Sequence, residues 1–567
     1  MRIVAVILLL CATSLAVGQD KPIPPAAESD AKIKVYTRLV QVPVVVTDKN
    51  GKVVTGLTQN DFVLTEEGKE QKISAFEGVT TVRAPIAERK LEPGLYTNRL
   101  EFSEGQRSVV VMVLDTINTP IADQAYARGQ LIKYLSSQVQ PDMLFSLRVI
   151  SRSGVRVVKD FTTDSGLLLA ALKRLQNDVA SNATPDQAAP AAPAGQTAFS
   201  PVASTDILYQ QLQSLMNEVD PAYENFQRGV SLLDTISGLR SVAQSLAGIP
   251  GRKAVIWVTA GFPFNFEDTR GFNSRLYDMR FARMLQEFND LNISIYPVDA
   301  RGLVGSLSTR ASEFAAPRLQ GPDTRQSSVR AAIGFGAGGP ALSDDPLDTL
   351  RYVADMTGGV PFVNTNDLSG SFNKAADDSS SYYLLGYYLT RPAGSGPDWR
   401  KIKVKVNQPG LNVRARNGIF AVPRPADLPG GKEADLGIAQ RSPTNMTGLG
   451  MVVDWLPDAT KSPELSKFYI QVNANDLIIG DDNQLSVDFL IVARAVDGKL
   501  LDSISQKIEG KVKSLDEFRK KPLLFSRELK PLPANAVIRF IVRDNQSGKL
   551  GSVIVDTSVP VAAAKKQ

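Results

Sequence analysis

The feature that most constrains the fold is an apolar run from Ser108 to Leu114, which ends directly on Asp115. Its residues are mostly β-branched and do not alternate with polar ones. This pattern is typical of a strand buried on both faces, in the middle of a parallel sheet covered by helices. The run therefore predicts that Asp115 lies at the C-terminal end of a central strand, and in open α/β sheets ligands bind just beyond such ends.

Further strands of the same kind follow, separated by helical patterns. Continuous apolar runs at 254–259 and 293–298 predict two more buried strands, the second followed by Asp299. The segment 143–158 reads as a strand and a hairpin return, which adds an antiparallel edge to the sheet. Residues 107–378 therefore predict an α/β domain with a mostly parallel sheet.

Strand patterns bracket this domain on both sides. Residues 31–100 predict an N-terminal β module built from short strands and Gly turns, and residues 381–422 predict a second β segment. We expect the two to pair, so that the α/β domain is inserted between them. After a Pro/Gly linker, residues 448–561 carry short strands spaced for a C-terminal β-sandwich.

The first 18 residues have the charged start, short apolar middle and small-residue end of a secretory signal peptide, with cleavage near Gly18. A membrane anchor is the alternative, but the apolar run is shorter than the ~20 residues that span a bilayer, and no later run reaches that length. We therefore expect a secreted or periplasmic bacterial protein without a membrane span in the mature chain.

Composition excludes several chemistries. The sequence has no histidine, and its one cysteine, Cys11, lies within the predicted signal peptide. A mature chain without either residue has no disulfides, thiolate nucleophiles, Cys/His zinc sites or imidazole bases. The formal net charge of +5 is small, and the basic residues form no patch with interleaved aromatics, so nucleic acid is not an expected partner.

Over about residues 107–378, the chain resembles the von Willebrand factor A (VWA) domain. It is closer still to the VWA-related proteins of acidobacteria, over about 35–422. The strings that carry this resemblance are Leu57–Phe62, Gly248–Lys253, Tyr296–Arg301, Asp367–Leu368 and Ser381–Tyr387. The resemblance implies a Rossmann-like fold for the α/β domain and says little about the C-terminal segment.

The resemblance also implies a metal-dependent adhesion site, because that family holds a divalent cation through Asp-x-Ser-x-Ser, a Thr from a later loop and an Asp after the fourth strand. Here Asp115 and Thr119 match, Ser231 could replace the Thr, Ile117 cannot ligate, and Ala260 stands at the last position. One carboxylate with hydroxyls predicts a degenerate site that holds Mg²⁺ or Mn²⁺ weakly at best, and no other cofactor.

An alternative interpretation makes the same residues structural. Asp115, Asn118 and Thr119 suit a turn and N-cap that open the following helix. Asp299 should reach the same edge of the sheet, where Arg301 could neutralise it in a structural pair. If these residues instead face a partner, they belong to a candidate partner-binding rim of five residues, namely Asp115, Asn118, Thr119, Thr259 and Asp299.

These patterns favour a protein-binding function of the adhesion type, directed at a protein or cell-envelope partner. A structural part in a cell-envelope assembly is the alternative, and the sequence does not determine the oligomeric state. A carboxylate-dependent hydrolase is less favoured, because the sequence has no Gly-x-Ser-x-Gly elbow at a strand end, no histidine and no evident pair of carboxylates. We therefore do not expect an enzyme.

Overall fold

The computed structural model describes residues 39–81, 91–92, 94–99, 108–137, 143–181, 227, 229–262, 274–302, 346–365, 368–389, 398–422, 430–455, 466–480, 483–530, 532–533 and 535–557. The predicted signal peptide, its cleavage point at Gly18 and residues 31–38 of the predicted N-terminal module lie outside these ranges. The described residues form helices and several sheets, most of whose strand pairs are antiparallel. The prediction of a mixed α/β chain is confirmed at this level.

The elements alternate between all-β and α/β stretches along the chain. The strands are β1 (Leu39–Thr47), β2 (Phe62–Glu66), β3 (Lys69–Gln71), β4 (Ala75–Thr80), β5 (Leu95–Thr97), β6 (Val109–Asp115), β7 (Leu144–Ser151), β8 (Gly154–Thr162), β9 (Lys253–Thr259), β10 (Ile293–Asp299), β11 (Ser381–Tyr388), β12 (Asp398–Val406), β13 (Asn412–Arg414), β14 (Gly418–Ala421), β15 (Met451–Trp455), β16 (Ser466–Val472), β17 (Gln484–Ala495), β18 (Leu500–Lys511), β19 (Leu523–Leu529), β20 (Ala536–Asp544) and β21 (Leu550–Asp556). The helices are α1 (Ile121–Ser137), α2 (Ser165–Ser181), α3 (229–245), α4 (Ser274–Asp290), α5 (Pro346–Thr357), α6 (Leu368–Ser380), α7 (Gly431–Arg441) and α8 (Leu515–Arg519). Within the described ranges, none of the helices is both long and apolar enough to cross a bilayer.

The central sheet has the strand order β10-β9-β6-β7-β8. Its first four strands run parallel to their neighbours, and β8 pairs antiparallel with β7 at the edge. Every residue of β6, β9 and β10 is buried, because helices cover both faces. Side chains alternate along a strand, so Val111 of β6 packs with α3, α4 and α5 in one core, whereas Met112 packs with α1, α2 and α6 in another.

Two further sheets each combine strands that precede the α/β domain in the sequence with strands that follow it. Their strand orders are β13-β1-β11-β4 and β14-β12-β2-β3. We call them the N-terminal sheet pair. They share one apolar core, which includes Val42, Leu64, Leu385 and Ile402. Strand β1 pairs antiparallel with β11, and β2 with β12. Segments before and after the α/β domain therefore build the same two sheets.

The last two sheets, β19-β16-β15-β5 and β18-β17-β20-β21, form what we call the C-terminal sheet pair. Their inner faces share a core that includes Val453, Ile470, Phe489 and Phe540. Strand β5 belongs here, since it pairs with β15. This corrects the predicted N-terminal module of 31–100, because a three-residue strand whose partner is some 350 residues away leaves no local signal in the sequence.

A buried ionic cluster joins the α/β domain to the C-terminal sheet pair. Asp435 of α7 accepts hydrogen bonds from Arg240 of α3, Arg283 of α4 and Arg543 of β20, at 2.8 to 3.0 Å. Glu287 accepts from Arg240 at 2.6 and 2.9 Å and from Arg283 at 3.2 Å. Burial alone would raise the pKa of Asp435, but the three arginines outweigh it and hold that pKa below its ordinary value.

Candidate functional site

Three polar residues meet at the C-terminal edge of the central sheet. Asp115, Thr259 and Asp299 are the last residues of β6, β9 and β10, which are neighbouring parallel strands. The register pairs Asp299 with Thr259, and Leu114 with Val258 one residue earlier. The structure therefore brings together three of the predicted rim residues, because aligned parallel strands end at the same edge.

Asp115 lies beneath the surface, with 1% of its area exposed. One carboxylate oxygen, Oδ1, accepts hydrogen bonds from the backbone N–H groups of Ile117 (2.9 Å) and Asn118 (3.1 Å). The other, Oδ2, lies 2.7 Å from Asn118 Nδ2 and 3.2 Å from Thr259 Oγ1. Burial raises the pKa of Asp115, and the hydrogen bonds from Asn118, Ile117 and Thr259 offset that rise only in part.

Thr259 has two hydrogen-bond acceptors within reach of its hydroxyl. The Thr259 hydroxyl lies 2.7 Å from the Gly261 carbonyl oxygen and 3.2 Å from Asp115 Oδ2. A hydroxyl has a single hydrogen, so these two oxygens compete for it. Thr259 therefore ties the Asp115 carboxylate to the backbone that follows β9.

Asn118 connects the loop after β6 to helix α3. Its Nδ2 donates to Asp115 Oδ2 and, at 2.8 Å, to Thr235 Oγ1. Thr235 is completely buried and donates its own hydroxyl hydrogen to the carbonyl oxygen of Ser231 at 2.8 Å. The helix therefore presents Thr235 to this cluster, whereas Ser231, the predicted ligand, contributes its backbone carbonyl to Thr235.

Sequence reasoning missed Thr235, although a signal for it exists. Leu232, Ile236 and Leu239 form the apolar face of α3 and lie in the core of the sheet. Thr235 is a polar residue on that same face, where a hydroxyl needs a hydrogen-bond partner. Polar residues inside an apolar helical stripe are therefore better candidates for such a cluster than those on its border, such as Ser231.

Thr119 ties together the loops that follow β6 and β9. Its Oγ1 accepts a hydrogen bond from the Ala260 backbone N–H at 3.2 Å, and its backbone carbonyl accepts from Gln124 Nε2 at 2.7 Å. Together with the bonds from the Asp115 carboxylate to the next backbone N–H groups, this is the bonding of a side-chain-stabilised turn. The structural interpretation accounts for every described contact of these residues.

The residues at this edge do not fit a divalent cation. Three of the four groups around the Asp115 carboxylate are N–H donors, whose positive ends would repel a metal ion, and Ile117 and Ala260 have no ligand atom in their side chains. Mg²⁺ requires near-octahedral oxygen ligands. Within the described ranges, no group of three or more Asp, Glu, His or Cys residues could hold a metal.

Asp299 belongs to a separate ion pair at the same edge. Its side chain is completely buried, and Arg301 contacts both carboxylate oxygens, Nε at 2.9 Å and Nη2 at 3.1 Å. The Arg301 backbone N–H adds a third bond at 3.0 Å. This bidentate contact is the structural pair that the sequence suggested. Arg301 binds both carboxylate oxygens of Asp299.

The surface above this edge is formed by the loop after β6 and the first residue of α1. Asp115, Thr119, Thr259 and Asp299 are all buried, and Asn118 is half-buried. Pro120 and Ile121 are exposed, Ile121 to 43%. The cavity beside Asp115 has a volume of about 20 Å³, which is room for a water molecule but not for an organic ligand.

Comparisons with known proteins add little. No protein-family model matches the sequence, and no curated protein matches it. Among solved structures, the chain is similar to Bacteroides uniformis β-glucuronidase at 11% identity and a TM-score of 0.14, covering 31% of this chain and 19% of that one. Two structures of β-glucuronidase 2 from the same organism, one bound to cyclophellitol-6-carboxylate aziridine and one a calcium-binding mutant, match at 12% identity with the same TM-score and coverage. The chain thus spans about a fifth of the length of these enzymes, and so low a TM-score carries no argument about fold or function.

Proposed function

We propose that this chain is a VWA-related protein that works outside the cytoplasm by binding a protein or cell-envelope partner. The observation that carries the proposal is the central sheet, with order β10-β9-β6-β7-β8, one antiparallel edge strand and helices on both faces. The resemblance of the sequence to VWA domains implies a sheet of this kind. The meeting of Asp115, Thr259 and Asp299 at its C-terminal edge adds support.

In this proposal the α/β domain is a Rossmann-like VWA domain inserted into the N-terminal sheet pair, and the C-terminal sheet pair is a β-sandwich. The chain bears a cleavable signal peptide and is secreted or periplasmic. A sequence without histidine, and with its one cysteine at position 11, suits a binding role better than one that requires a nucleophile and a base.

Partner binding in this proposal does not depend on a cation. Asn118 joins Asp115 to Thr235 and so holds the loop after β6 against α3. A loop that is already ordered loses little conformational entropy when a partner binds. The contact surface is then the exposed end of that loop, Pro120, and the first residue of α1, Ile121, rather than the buried carboxylates beneath them.

The test is partner capture with the full-length chain, in which envelope proteins are crosslinked, recovered and identified. Ile121→Asp places a charge at the exposed first residue of α1, where it disturbs binding without touching the Asp115 hydrogen bonds. Leu524→Asp is the matched control, since Leu524 is 65% exposed on β19 of the C-terminal sheet pair. We expect Ile121→Asp to lose the partner and Leu524→Asp to retain it.

A structural role in an envelope assembly is the second candidate, and one observation favours it. Val496, Leu500 and Leu524, three large apolar side chains of the C-terminal sheet pair, are more than half exposed. Exposed apolar side chains act as contact points in assemblies when they form a contiguous patch. In the same capture experiment, loss of the partner with Leu524→Asp and retention with Ile121→Asp would reject the proposed rim and favour this role.

A further inference from the structure

The turn from Gly248 to Lys253 lies at the end of the central sheet opposite Asp115, where α3 leads into β9. It contacts the segment before the C-terminal sheet pair, since the Gly248 backbone N–H donates to Thr447 Oγ1 at 2.8 Å. A Cβ atom on Gly248 would lie 2.4 Å from the Thr447 carbonyl oxygen, so only glycine fits there. The proposed function assigns no role to this turn.

A cleft of about 430 Å³ opens between this turn and the turn at 547–549 that joins β20 to β21. That volume falls in the range of small-molecule sites. A neighbouring cavity of about 420 Å³ shares Ile249, Gly448 and Lys549 as lining residues. The junction between the α/β domain and the C-terminal sheet pair therefore contains enough space for a ligand.

Lys253 is the most unusual residue of this cleft. Its side chain is 3% exposed, and its ammonium group donates one hydrogen bond, to the Ile249 carbonyl oxygen at 2.7 Å. An ammonium has three hydrogens to donate, and no carboxylate pairs with this one among the residues that the structure describes. Burial lowers the pKa of Lys253 to about 7, because the charged ammonium is removed from water.

Lys549 lines the same cleft from the other side. It is half-buried and, within the described part of the chain, it has no carboxylate partner either. The remaining cation, Arg283, is satisfied by Asp435 and Glu287. Of the acidic lining residues, Glu287 is bound by two arginines, and Asp290 accepts a hydrogen bond from Gln286 at 3.4 Å. Lys253 and Lys549 are thus two lining lysines that form no ion pair with a described carboxylate.

We propose that this cleft binds a small anion carrying a carboxylate or phosphate group, held between Lys253 and Lys549. A buried ammonium without a counter-ion is unfavourable, and an anion that enters the cleft removes that penalty while accepting the free hydrogens of Lys253. The site is independent of the proposed partner-binding loop, because the two lie at opposite ends of the central sheet.

Calorimetric titration of the full-length chain with citrate and, separately, with inorganic phosphate tests this site and distinguishes the two anion classes. We expect one of them to bind at one site per chain. Lys253→Met should weaken that binding about tenfold or more, as removal of a buried charge-assisted hydrogen bond does. Lys549→Met should weaken it less. Lys403→Met, which alters an exposed lysine of β12, should have no effect.

A second measurement keeps the test valid if Lys253→Met folds poorly. Acetylation of the wild-type chain, followed by mass spectrometry, reports the reactivity of each lysine. The bound anion should slow acetylation of Lys253 and leave that of Lys403 unchanged. Absence of binding by both anions at millimolar concentrations, or binding that neither Lys253→Met nor Lys549→Met weakens, would overturn the proposal.

Discussion

Asp115 and Asp435 are buried to the same degree, 1% exposed, yet their surroundings push their pKa values in opposite directions. Asp115 is surrounded by neutral donors, and burial dominates, so its pKa is raised. Asp435 is also penalised by burial, but three arginines bind it and lower its pKa. The comparison teaches that burial does not define the role of a carboxylate, because its partners decide the direction in which its pKa moves.

The two sites also differ in how the chain assembles them. Asp115 finds most of its partners within three residues of its own position, and the remaining one on the neighbouring strand. Asp435 joins residues that lie 108 to 195 positions away, on two helices of the α/β domain and one strand of the C-terminal sheet pair. The first site shapes a loop, whereas the second fastens two parts of the molecule together.

The largest loss of folding stability is expected for Asp435→Asn. The substitution leaves three buried arginines without their shared counter-charge, and breaking a buried ion pair in this way costs about 3–5 kcal/mol. Urea unfolding of the full-length chain measures the loss. Asp454→Asn, at an exposed carboxylate on β15, is the matched control and should change stability by less than about 0.5 kcal/mol. Equal stability of the two variants would show that the cluster contributes nothing.

A smaller loss of folding stability is expected for Asp115→Asn. The amide keeps an oxygen for the backbone N–H groups of Ile117 and Asn118 and, like a protonated carboxyl, carries no charge. The cost should be about 1–2 kcal/mol, from the mismatch between two amide groups at Asn118. The same urea titration measures it, and a loss as large as that of Asp435→Asn would mean that a charged Asp115 stabilises the fold.

The pH dependence of stability should separate the two carboxylates by sign. A raised pKa in the folded state gives Asp115 a contribution that is complete below its ordinary pKa and lost as the pH rises through the raised value. A lowered pKa gives Asp435 a contribution that is present above its ordinary value and lost as the pH falls through the lowered one. Urea unfolding across the acidic pH range should therefore show the wild-type advantage over Asp115→Asn shrinking as the pH rises.

For Asp435→Asn the wild-type advantage should shrink as the pH falls. Asp454→Asn again serves as the reference, because its difference from wild type should stay small throughout. If both differences changed in the same direction with pH, the contrast between neutral donors and arginines would be the wrong explanation for these two sites.

The smallest effect is expected from metal ions. Because N–H groups occupy most of the space around the Asp115 carboxylate, Mg²⁺ or Mn²⁺ should leave the Tm of the wild-type chain unchanged, and EDTA should do the same. Thermal unfolding with Asp115→Asn as the paired variant checks this. A rise in Tm with Mg²⁺ that Asp115→Asn abolishes would restore the degenerate cation site.

What could be predicted from the sequence depended on how local the signal was. The uninterrupted run before Asp115 and the runs ending at Thr259 and Asp299 indicated buried parallel strands, and parallel alignment then brought their ends together. Asp435 and Thr235 were missed, because each acquires its role from partners in distant elements. The hydrogen bonds that Asn118 donates at the candidate cation site could not be predicted either, since a spacing pattern does not reveal them.

Strand β5 has a consequence for how the chain is made. Thr97 donates to the Met451 carbonyl oxygen across 354 positions, and Asn98 fills the same region with bonds to Met446 and Leu449. On a ribosome, this strand waits while the 354 residues from Thr97 to Met451 are synthesised before its partner emerges. Completion of the molecule is therefore a late, long-range closure, and a fragment starting after residue 100 would leave the edge of β15 open to self-association.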